Sequence, residues 1–97
     1  MSKPYNSKEL KEQALIKAEM LKLCRSYPNS VFIAKKEDDY DWYEIVFSSF
    51  DLFQGDEMFD FDKDRIREKL KKLGIRIIFA YSSNPYVTTG DWIFRKR

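Results

Sequence analysis

Ninety-seven residues, 43% of them hydrophobic and 16% aromatic, can bury one core but not two, so the chain reads as a single domain over 1–97. A charged fraction of 35% is high, yet two Trp, eight Phe and six Tyr supply the large apolar surfaces that disordered chains lack. The absence of histidine and the presence of one cysteine exclude histidine-based triads and disulfides within the chain, and remove the usual zinc ligands.

No stretch approaches the roughly 20 apolar residues that span a bilayer. MSKPYNSKELKEQ contains no apolar run of signal-peptide length, so the expectation is a cytoplasmic protein with no membrane partner.

In chain order, Asn6 followed by Glu9 has the spacing of a capping box. Leu10, Ala14, Ala18 and Leu21, widened by Ile16, Met20 and Leu23, then recur at helical spacing until Pro28 and Asn29. The spacing predicts a helix over 7–26, with Cys24 packed on it as an ordinary apolar side chain. SVFIAKK (30–36) and WYEIVFSS (42–49) are rich in β-branched and aromatic residues and flank the polar turn EDDYD. They predict an antiparallel hairpin with Tyr43, Ile45 and Phe47 on one face and Trp42, Glu44 and Val46 on the other.

Asp60 or Asp62 then opens a second helix over 62–73, with Ile66, Leu70 and Leu73 as its apolar stripe and Gly74 at the left-handed position that ends it. IRIIFAYS (75–82) reads as a strand, SSNPYVTTG as a turn-rich connection, and DWIFRKR (91–97) as a short strand with a basic tail. The order αββαββ predicts an α+β two-layer sandwich: a four-stranded antiparallel sheet with two helices on one face. Phe-Ile-Ala before Asp41-Trp42 and Ile-Phe-Ala before Asp91-Trp92 repeat at unequal spacing, which a decayed duplication and two unrelated hairpins would both show.

Motifs for catalysis are missing. Asp60, Asp62 and Asp64 begin like a calcium loop, but Arg65 and Lys71 stand where its glycine and bidentate glutamate belong, so the aspartates read as helix-start residues. The isolated Gly55, Gly74 and Gly90 make no phosphate loop, and no serine is followed three residues later by lysine. The expectation is a protein without enzymatic activity, cofactor or metal.

Charge is segregated. Residues 1–36 carry a net +5, 37–64 a net −10 and 65–97 a net +7. The segment FDLFQGDEMFDFDKD (50–64) alone holds six carboxylates and four phenylalanines. If EDDYD lies close to it in space, Asp38, Asp39, Asp41, Asp51, Asp56 and Glu57 with Tyr40 and Phe53 form an acidic, aromatic face.

Such a face suits an inhibitor or adaptor of a basic protein, with nucleic-acid-processing proteins among the candidates: carboxylates steer the partner in and aromatics anchor it. The alternative is nucleic-acid binding through Arg67, Lys69, Lys71 and Lys72 on helix 62–73 and the tail with Arg95 and Arg97. Tyr81, Tyr86 and Trp92 would then stack on bases. A third reading leaves both charge sets as solvated faces that neutralise one another.

Overall fold

The computed structural model describes residues 7–36, 41–88 and 90–95. Helix α1 (Ser7–Ser26) has the predicted extent, but only the Ile16, Met20 and Leu23 side of its predicted apolar face turns inward. Ile16, Met20, Leu23 and Cys24 are buried with Glu19, whereas Leu10, Ala14, Ala18 and Leu21 are exposed. Both stripes are apolar at helical spacing. The buried one continues into Tyr27, whose ring packs edge-on against Phe59 at 5.1 Å. Burial pushes the Cys24 thiol pKa up, which fits a packing role.

Strands β1 (Phe32–Lys36) and β2 (Trp42–Phe47) pair antiparallel as predicted, Phe32 opposite Phe47 and Lys36 opposite Tyr43. The chain then forms α2 (Phe50–Gly55) and α3 (Glu57–Lys72), so the second helix begins five residues earlier than 62 and is preceded by another. Gly55, at φ 122°, separates the two, and Asp56 caps α3 by accepting a 2.9 Å hydrogen bond from the Phe59 N–H. The helix ends as a Schellman motif: Ile75 N–H donates to Leu70 O at 2.8 Å and Gly74 N–H to Lys71 O at 3.0 Å, with Gly74 at φ 82°. Leu73 belongs to this exposed cap and not to the buried stripe, which is Phe59, Ile66 and Leu70.

Strand β3 (Arg76–Tyr81) lies parallel to β2, and β4 (Trp92–Phe94) lies antiparallel to β1, giving the order β3-β2-β1-β4. The sheet is therefore mixed, not wholly antiparallel. Parallel neighbours need a crossover of about a dozen residues or more, and the helical stretch between β2 and β3 supplies it. Because β1 and β2 are neighbours while β3 and β4 stand at opposite edges, the two halves are not structural repeats.

The α+β class holds. Phe32 and Ala34, Tyr43, Ile45 and Phe47, Ile77 and Phe94 turn to the helical side and form one core with Ile16, Met20, Leu52, Phe59, Ile66 and Leu70. The connection from β3 to β4 passes over the other face, where Ile33 is only 1% exposed and Val46 is buried. Lys35 pins it: its Nζ donates to Asp91 Oδ2 at 2.6 Å and lies 5.6 Å from the Tyr86 ring centre. Asp91 also accepts from Thr88 N–H at 2.8 Å. Burial alone would raise the Asp91 pKa, but the hydrogen bonds from Lys35 and Thr88 outweigh it and hold the carboxyl below its ordinary range.

Two outcomes are expected from this packing. Phe59→Ala and Leu70→Ala should each cost about 2–5 kcal/mol in denaturant melts, against less than about 0.5 kcal/mol for the exposed Lys71→Ala. Because the folded-state pKa of Asp91 is depressed, its contribution is present above the ordinary value of 3.8 and fades as pH falls through the folded value. Asp91→Asn should therefore be destabilising near neutral pH, and the gap to wild type should close in acid.

Candidate partner-binding surface

Of the four phenylalanines in 50–64, Phe59 alone joins the core. Leu52 anchors α2 in that core, and this leaves Phe50 and Phe53, three residues apart, on the outside of the short helix. Phe53 is 57% exposed and lies flat on Tyr81, with ring centres 4.4 Å apart and planes 17° apart. Phe50 stands 6.1 Å from both rings. On α3, Met58 and Phe61 are again three residues apart and out of phase with the Phe59, Ile66 and Leu70 stripe, and Phe61 is 72% exposed.

Carboxylates flank these side chains. Asp51, Glu57 and Asp60 are exposed, with Asp51 in the first turn of α2 and the other two in the first turn of α3. Asp56 is committed to its cap, and Asp62 accepts a 2.6 Å hydrogen bond from the Tyr27 hydroxyl. Burial and that carboxylate together push the Tyr27 pKa up. Asp51, Asp56, Glu57 and Phe53 are thus brought together at one corner.

Asp41 is not part of that corner. It precedes β2, whereas the corner follows the strand's far end, about 17 Å away at the usual rise per residue. Asp38, Asp39 and Tyr40 lie outside the described residues.

The basic set is dispersed and largely paired. Lys63 lies 3.1 Å from Asp60 and Arg65 3.6 Å from Asp62, while Arg67 bonds Asp64. Lys69 Nζ donates to Glu19 Oε1 at 2.6 Å across the α1–α3 interface, where the Glu19 side chain is 1% exposed. Lys71 and Lys72 are exposed and make no ion pair among the described residues. Arg95 stands beyond β4 at the opposite edge of the sheet from α3's neighbour β3, near Lys17 of α1, and Arg97 lies outside the described residues. Trp92 packs on Tyr43 at 5.8 Å and Tyr81 lies flat against Phe53, and both are partly buried. Tyr86 is exposed, close to Lys35.

Residues 60–64 are helical, so Asp60 and Asp64 share one face of α3 a turn apart while Asp62 points away from them, and the three do not converge. No group of three or more potential metal ligands occurs among the described residues. Sequence reasoning missed Phe50, Met58, Asp60 and Phe61 as surface residues. The available signal was their spacing, which is out of phase with Leu52 and Phe59.

Comparison with protein-family models, characterised proteins and solved structures finds no match for this chain.

The Glu19 contacts also determine which surface lysines can be altered safely. Lys69→Glu would set a second carboxylate against a buried one and should lower stability by more than about 1 kcal/mol. Lys72→Glu should change it by less than about 0.5 kcal/mol. Paired urea melts would measure both; equal effects would mean that Glu19 does not depend on Lys69.

Proposed function

We propose that this chain is a non-catalytic protein-binding module, an inhibitor or adaptor, whose α2–α3 corner docks a basic protein. The observation that carries the reading is Phe53, more than half exposed yet held flat on Tyr81. A large ring already fixed in the free protein loses little entropy on binding, and such aromatic anchors carry most interface energy. Asp51 and Glu57 beside the exposed rings supply the field that draws in and orients a cationic surface. Nucleic-acid-processing proteins present clefts of that kind, and they are the class of partner the charge fits best.

Direct nucleic-acid binding is less well supported. Lys63, Arg65, Arg67 and Lys69 each meet a carboxylate, so the helix that looked basic in sequence has few cations left for phosphate.

The test compares wild type with Phe53→Ala/Phe61→Ala and Asp51→Lys/Glu57→Lys in affinity capture followed by mass spectrometry, then in titrations with the purified partner. A basic protein held by wild type and lost from both variants is expected, with affinity falling as salt rises. A partner indifferent to both variants would overturn the reading. So would salt-dependent binding to random DNA or RNA that survives both variants and is lost with Lys71→Glu/Lys72→Glu.

A further inference from the structure

At the edge of the sheet away from β3, a groove of about 610 Å³ separates β4 from α1. One wall is Gln13, Lys17 and Leu21, spaced four residues apart on one side of the helix and spanning about 12 Å. The other wall is residues 92–95 in succession. Side chains of successive strand residues point to opposite faces of a sheet, so a groove that touches all of them follows the edge of the strand, where its outward N–H and C=O groups stand. β1 pairs with the inner side of β4, and no strand pairs with the outer side among the described residues. The two walls match in length, because the strand wall spans about 10 Å at the usual rise.

The charges along the groove have one sign. Lys17 and Arg95, one on each wall, are exposed and make no ion pair among the described residues. The positions one turn from Lys17 on its own helix, Gln13, Ala14, Met20 and Leu21, carry no carboxylate, and Glu12 is taken by the Tyr43 hydroxyl. Among the described residues no carboxylate lines this groove, whereas the one at Arg76 holds Asp64 and Glu68 beside its cations. Leu21, 41% exposed, and the partly buried Trp92 add apolar surface.

We infer that the groove receives an extended acidic segment of a partner protein, which adds a strand to the outer edge of β4, sets carboxylates on Lys17 and Arg95 and lays apolar side chains on Leu21 and Trp92. Main-chain hydrogen bonds supply affinity in such pairing, and side-chain contacts supply selection. β4 is three residues long, too short to recruit strands indiscriminately, so the α1 wall decides which segment stays. A phosphate backbone is a poorer occupant, because two cations hold few phosphates and it brings no N–H donor for the carbonyls of the strand. The inference is independent of the proposed function. The α2–α3 corner stands by Tyr81 of the opposite edge strand, takes a partner of the opposite charge and shares no residue with the groove.

Fluorescence polarisation of a labelled short peptide of alternating glutamate and valine, titrated with the full chain, provides the test. Wild type should bind it, and glutamine in place of its glutamates should weaken binding by about tenfold or more. Lys17→Glu/Arg95→Glu, at exposed positions, should have a similar effect with circular dichroism unchanged. Prolines at the central valines should also weaken binding, since they remove main-chain donors. Phe53→Ala/Phe61→Ala should bind the peptide as wild type does, which separates this groove from the corner. A wild type that does not bind, or binding that survives the double charge reversal, would overturn the inference. So would equal binding of the proline peptide, which would mark capture of an anion without strand addition, or a tighter hold on oligothymidylate that the same charge reversal abolishes.

Discussion

Phe59 ties the layers together. Its ring touches Tyr27 at the end of α1, Phe47 of β2 and Phe79 of β3, at 5.1, 5.0 and 6.1 Å, with Phe32 of β1 at 6.2 Å. The same residue's N–H is the donor that Asp56 caps, so the residue that starts α3 also seats it on the sheet. Everything at the α2–α3 corner is placed by that anchor. Phe53 and Phe61 can stand outside because Leu52 and Phe59, out of phase with them, are held inside.

The charge segregation seen in the sequence resolves into helix electrostatics. The change of sign falls near the middle of α3, whose first turn carries Glu57 and Asp60 and whose last turn carries Lys69, Lys71 and Lys72, the distribution a helix dipole favours. The alternating aspartates are matched three residues on, Asp60 by Lys63, Asp62 by Arg65 and Asp64 by Arg67, so the run that resembled a calcium loop is a ladder of ion pairs. Exposed pairs of this kind add little stability, but they use up charge. Asp51 and Glu57, which make no ion pair among the described residues, lie beside the exposed rings, and this is why the corner, and not the helix as a whole, supports the binding proposal.

Local structure was legible where one pattern dominated. The extent of α1, the β1–β2 hairpin and the glycine stop at Gly74 follow from spacing, β-branching and φ preference, none of which depends on the rest of the chain. The buried face of α1 was legible only in part, because two apolar stripes adjoin on it and the choice between them rests on packing with distant elements, such as Tyr27 against Phe59 across 32 residues. α2 was missed for a related reason. Six residues make too few hydrogen bonds to hold a helix alone, so its existence depends on Leu52 reaching the core. The wholly antiparallel sheet failed at the longest range: SSNPYVTTG reads equally as a turn or as a connection across a sheet, and the Lys35–Asp91 bond that seats it joins residues far apart in sequence. At the candidate surface, Asp51, Glu57 and Phe53 were legible from composition, but the exposure of Phe61 required the true start of α3.

The exposed rings are not explained by the needs of the fold. A polar residue at 50, 58 or 61 would leave the Leu52 anchor, the Asp56 cap and the Phe59 contacts untouched, and would remove apolar area from water-facing positions. The same holds for Ile78 on β3, which faces away from the helices and contributes nothing to their packing. Exposed apolar side chains also stand on α1, at Leu73 and at Tyr86 and Val87, but those of the α2–α3 corner stand beside Asp51 and Glu57, carboxylates that make no ion pair among the described residues. That combination of apolar surface with unneutralised charge marks a contact surface more strongly than either does alone.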